Sequence, residues 1–207
     1  MKTSLKAVVI LAVMGFSHSV VHAATQPSTM TDFSSTNTES VLSVHSKGWS
    51  DPAFGKAGWT HRSKWGNFTA VKGRVVTIKL VAADPGVHPG VTVWYRGADD
   101  TAPDTYVPDH FYFQNADLIK FCATDEGTGA KLGNIIMQHV VNGYDLYGNT
   151  QKVAKFKGKI DGVPGQLELK FKAPETGSYQ FVVGGFNPDA SLPVQNYDID
   201  TMVTTRW

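Results

Sequence analysis

Leu167-Glu168-Leu169-Lys170-Phe171-Lys172 alternates apolar and charged residues without a break. Side chains along an extended chain point to opposite faces in turn, so this run carries one face for a core and one for water. A helix would scatter the same residues around its axis. Related signals recur along the chain. Residues 74–82 are rich in β-branched side chains and stop at the turn residues Asp84-Pro85-Gly86. His88-Pro89-Gly90 reads as a second turn, with His88 expected to be exposed, and Val91-Thr92-Val93-Trp94-Tyr95 reads as the next strand. Further strands are expected within residues 41–49, before the break at Asp51-Pro52, at His110-Phe111-Tyr112-Phe113, over 152–160, over 177–183 and within 197–207. Residues 134–141 fit a short helix or a buried strand, and periodicity alone does not separate the two. Short strands punctuated by turns predict an all-β chain, a β-sandwich or jelly-roll-like fold with long loops and little helix.

The N-terminus has a different character. Lys2 and Lys6 precede an apolar run over 7–14, and Val21-His22-Ala23 then offers a small-x-small cleavage site. That is the pattern of a secretory signal peptide over 1–23, and the run is too short to cross a membrane. Residues 24–40 are rich in Ser and Thr and nearly uncharged, which predicts a flexible N-terminal segment. Residues 41–207 are then a single β-sandwich domain. Loss of Lys2 and Lys6 leaves 17 basic against 18 acidic side chains, so a formal charge of +1 becomes −1. No basic cluster offers a footprint for nucleic acid or an anionic membrane. Cys122 is the only cysteine, so no intrachain disulfide can staple an exported chain, and stability falls to the core or to something bound.

Most site motifs are missing. There is no His-Glu-x-x-His, no paired cysteines, no phosphate-binding glycine loop and no Gly-x-Ser-x-Gly. Gly58-Trp59-Thr60-His61-Arg62-Ser63-Lys64-Trp65-Gly66-Asn67-Phe68 stands out instead. If this stretch is extended, Trp59 and His61 share a face. His110 follows the long acidic loop at 97–108, and imidazole is a ligand type suited to copper. Two imidazoles on facing strands can hold an ion of low coordination number, as cuprous copper is. Read from residues alone, the same pattern fits a hydrogen-bonded core histidine among packed tryptophans. His139, in an apolar run, reads as packed or hydrogen-bonded. Asp99, Asp100 and Asp104 are the oxygen ligands calcium would want, with a solvated acidic loop as the simpler reading.

The Trp59-x-His61 motif and the lone downstream His110, in an exported Trp-rich β protein, resemble the CorA/MopE family of copper-repressible surface proteins from methane-oxidising bacteria. That resemblance implies a copper-binding protein rather than an enzyme, serving copper acquisition at the outer cell surface. It further implies one copper(I) held by His61, His110 and Trp59, the last oxidised to kynurenine. An unmodified indole offers only an N–H, whereas ring opening yields an aromatic amine with a lone pair. Two other classes compete: a metal-free sandwich that recognises glycan or protein through exposed aromatics, and a copper oxygenase with an N-terminal histidine. The second needs cleavage before His22 or His18, against the small-x-small rule or against the apolar run itself.

Overall fold

The alternating run at Leu167 forms a strand with Leu167 and Leu169 in the core and Lys170 in solvent. The computed structural model describes residues 30–46, 63–104, 106, 117–145, 163–186 and 192–206. Within them the strands are β1 (Met30–Asp32), β2 (Glu39–His45), β3 (Lys64–Ala70), β4 (Val75–Ala82), β5 (His88–Tyr95), β6 (Leu118–Thr124), β7 (Lys131–Tyr144), β8 (Gln166–Lys172), β9 (Gly177–Phe186) and β10 (Asn196–Thr204). One sheet has the order β1-β3-β9-β5-β7-β6 and the other β2-β10-β4-β8. All the pairings are antiparallel except β1 with β3.

The two sheets stack face to face. Leu42, Val44, Val76, Ile78, Leu80, Leu167, Leu169, Ile199 and Val203 of the four-stranded sheet meet Phe68, Val91, Val93, Tyr179, Phe181 and Val183 of the six-stranded one. Gly66 is required in this packing, because a Cβ there would sit 2.4 Å from Phe181 and 2.9 Å from Phe33. Two tyrosines lock corners by reaching back four residues. Tyr179 Oη donates to the Glu175 carbonyl, and Tyr197 Oη donates to that of Pro193 at 3.0 Å.

The all-β sandwich expected from the alternation is therefore what forms, and the ambiguous stretch at 134–141 is strand, part of the fourteen-residue β7. Three expectations change. Residues 30–33, within the segment expected to be flexible, supply β1 and the buried Phe33. β-pairing with β3 and the Phe181 ring capture them. His88-Pro89-Gly90 is not a turn but the start of β5, opposite Phe186, Gly185 and Gly184. Pro89 is tolerated at this strand end because its carbonyl still serves the ladder, accepting the Asp145 N–H at 2.9 Å. His88 is consequently buried, not exposed: it is 5% accessible and its Nδ1 lies 2.6 Å from Asp145 Oδ2. The strands expected at 110–113 and over 152–160 lie outside the described residues.

Candidate functional site

In a simple sandwich, the outer face of each sheet meets water. Here the outer face of the six-stranded sheet is buried. Register aligns Trp65, Val182, Thr92 and Asn142 across β3, β9, β5 and β7, and aligns Asn67, Gln180, Trp94 and His139 in the next row. Of these eight, Trp65, Val182, Thr92, Asn142, Gln180 and Trp94 are almost fully buried. The Trp65 and Trp94 indoles stack, and Ala102, Ala123, Ile135 and Met137 complete an apolar cluster around them, with Met30, Tyr106, Leu118 and Leu132 packed on its rim. Ala102 and Tyr106, outside the strands, join strand residues of β1, β6 and β7 in this second core, which no residue of the four-stranded sheet enters.

Polar groups under this face are held tightly. Arg96 follows β5 and contacts the Asp100 carboxylate through Nε and Nη2, while its Nη1 donates to Gln180 Oε1. Burial lowers the Arg96 pKa more than Asp100 raises it, and burial raises the Asp100 pKa against the opposing pull of Arg96. The Tyr106 phenol is pushed up by burial, with the Asp125 and Glu126 carboxylates adding to it. His139 Nε2 sits 3.2 Å from Asn142 Oδ1, in keeping with the hydrogen-bonded role expected for it.

The residues singled out from sequence as ligands, His61, His110 and Trp59, lie outside the described residues. Those next to them in the chain do not. Ser63, two residues after His61, is buried, and Trp65 belongs to the stacked pair. Tyr106, four residues before His110, packs on the same cluster. The described chain that follows His61 and the residue Tyr106 that precedes His110 thus meet on one aromatic face. Among the described residues, no three His, Cys, Asp or Glu side chains gather as a metal site. Of the described histidines, His88 is engaged by Asp145, and His139 by Asn142. Asp100 is not solvated with Asp99 and Asp104; it is buried against Arg96. Sequence reasoning missed this Arg96–Asp100–Gln180 network because Gln180 is far from the other two in the chain. Its one local signal was a basic residue four before an acid at a strand end.

Fold and site together define a two-sheet β-sandwich with a buried aromatic platform on its outer side. The chain belongs to the family of CorA-like copper(I)-binding proteins, whose family model matches residues 22–192. Among solved structures it is similar to CorA of Methylomicrobium album BG8, a surface-associated copper-binding protein important in copper acquisition. The identity is 34%, over 86% of this chain and 98% of that one, with a TM-score of 0.70. It also resembles MopE, a secreted protein of Methylococcus capsulatus in which an oxidised tryptophan facilitates copper binding. There the identity is 18% over 84% of this chain and 87% of the other, at a TM-score of 0.53, a likeness of fold. Comparison with curated protein sequences gives no match.

Proposed function

We propose that this protein binds one copper(I) ion at the cell surface for copper acquisition, after export directed by residues 1–23. His61 and His110 supply imidazole nitrogens, and Trp59 supplies an amine once oxidised to kynurenine. The reading rests on membership of the CorA-like family, with CorA itself similar across nearly its whole length. The oxidised tryptophan of MopE lends the Trp59 assignment its chemistry.

Chain reach is compatible with this assignment. Covalent geometry keeps the His61 Cα within about 7 Å of that of Ser63 and the His110 Cα within about 14 Å of that of Tyr106. Both anchor residues border the Trp65–Trp94 cluster or lead straight into it. A buried, aromatic neighbourhood with imidazole ligands suits copper. The function is binding, with no turnover.

The route to the amine is ordinary indole chemistry. Dioxygen adds across the pyrrole double bond to give N-formylkynurenine, and water then releases formate, leaving one carbon fewer and one oxygen more than tryptophan. Metal analysis and peptide mass spectrometry across residues 58–64, on protein purified from its natural host, test the proposal together. One copper per chain and a mass matching kynurenine at Trp59 are expected. Protein loaded with copper but carrying intact tryptophan would remove Trp59 from the site, and natively purified protein without copper would refute the function.

A further inference from the structure

The outer face of the six-stranded sheet carries the second core, but the outer face of the four-stranded sheet is open. Register sets Val41, Asp200, Val81 and Gln166 side by side across β2, β10, β4 and β8 on that face. Val41 is 57% exposed there, and Val75, at the start of β4, is 51% exposed. Charges on this face are sorted by sign. Glu39 of β2 and Asp198 and Asp200 of β10, all exposed, form one acidic corner. Lys170 and Lys172 of β8, both exposed, stand at the opposite corner, where β4 begins and β10 ends. Lys79 of β4 is exposed between the two, and Arg206, exposed just past the end of β10, adds to the basic end.

Within one molecule this sorting is unfavourable. Asp198 and Asp200 lie two residues apart on one face, as do Lys170 and Lys172, so each corner holds like charges at close range. Lys170 is bridged to Glu168 at 2.7 Å. Among the described residues, Glu39, Lys79, Lys172, Asp198 and Asp200 make no ion pair. Interspersed signs would serve a face that only meets water better. A pattern that repels itself within each corner, and is opposite between corners, is complementary to a second copy of itself. A twofold axis lying in the face, at right angles to the line from acids to bases, exchanges the corners and lays each acidic one on a basic one. Val41 beside the acids and Val75 beside the bases supply apolar surface to bury.

Size decides how strong such a contact is. Four strands about 4.8 Å apart, with about seven residues each at about 3.4 Å, span about 450 Å², so two stacked faces bury on the order of 1,000 Å². That is the low end for specific protein contacts, and complementary charge sets partner choice and association rate more than affinity. We propose that the outer face of the four-stranded sheet is a self-association surface, on which two copies of this chain pair as a weak, salt-sensitive twofold dimer.

Sedimentation velocity on the full chain, in low salt and in about 0.5 M salt, reads the dimer's dissociation constant with surface charge unscreened and screened. Three variants accompany the wild type: Asp198→Lys with Asp200→Lys, Lys170→Glu with Lys172→Glu, and all four changes together. Circular dichroism checks that each is folded. Wild type should dimerise in low salt and bind itself about 10-fold or more weakly in high salt. Each double variant, with like charge facing like, should associate about 100-fold more weakly. The fourfold variant exchanges the signs of the two corners and should return to within about 10-fold of wild type. Wild type that stays monomeric at about 1 mM in low salt overturns the proposal and leaves this face to a partner of other chemistry. A dimer that both double variants keep is formed by another surface and overturns it too, as does a folded fourfold variant that remains monomeric.

Discussion

Trp65 and Trp94 stack with ring centroids 5.5 Å apart and planes 21° apart, although β9 lies between their strands. The indoles lean toward each other over β9 and turn what would be a solvent face into a second core. Two large rings bury more apolar surface here than any loop residue covering them. Trp94→Ala should cost about 3–5 kcal/mol of unfolding free energy. Val41→Thr, at an exposed position of β2, should stay within about 0.5 kcal/mol of wild type. Denaturant titration of copper-free protein measures both. A small loss at Trp94 would mean that the outer face is not a core.

The buried pair of His88 and Asp145 ties β5 to the end of β7, and Asp145 Oδ2 also accepts the Gly165 N–H at 2.6 Å, reaching the turn before β8. Removing the imidazole leaves a buried carboxylate with one neighbour fewer. His88→Ala should therefore destabilise the protein by about 3–5 kcal/mol, the range for breaking a buried pair. Copper content per folded chain should stay at the wild-type value, because the pair is a structural tie. Unfolding curves and metal analysis on the same sample check the two halves. Loss of copper with stability intact would make His88 a ligand.

Tyr179 is fully buried, and its phenol is pushed above the usual range chiefly by burial, with the hydrogen bond to the Glu175 backbone opposing and Tyr95 and Glu175 adding. The unfolded chain ionises this phenol near pH 10, whereas the folded chain holds the proton more tightly. The folded state thus binds more protons in that range, so this contribution is complete below about pH 10 and is lost as pH rises further. Tyr179→Phe should cost about 1 kcal/mol at neutral pH, from the lost corner bond. It should also flatten the decline in stability above about pH 10. Equal alkaline slopes for the two proteins in unfolding experiments would contradict the assignment.

The sheets were legible because alternation and β-branching are local. β4, β8 and β9 fall where residues 74–82, 167–172 and 177–183 suggested. What local pattern hid was the use of each face. Trp65, Thr92 and Gln180 alternate as ordinary outward residues would, and the side chains that pack over this face come from distant parts of the chain, Met30, Ala102, Tyr106 and Ala123 among them. His88-Pro89-Gly90 carries the composition of a turn, but pairing with the glycines of β9 draws it into the sheet. Asp100 looked like a solvated acid although its partner Arg96 is only four positions away, because Gln180, which holds Arg96 in the buried layer, lies eighty-four positions beyond it. The histidines proposed as ligands, His61 and His110, were picked out by a motif and a family likeness, neither of which depends on knowing the fold.

Copper binding by His61 and His110 together is the central claim, and a Cu(I) competition titration tests it most directly. Wild type, His61→Ala, His110→Ala and the double variant are titrated against one chelator, with the folded state of each checked by circular dichroism. The account predicts one high-affinity equivalent for wild type, weaker binding for each single variant, and none for the double variant, with all four folded. A folded double variant that still withdraws one equivalent of Cu(I) from the chelator at wild-type affinity would contradict it.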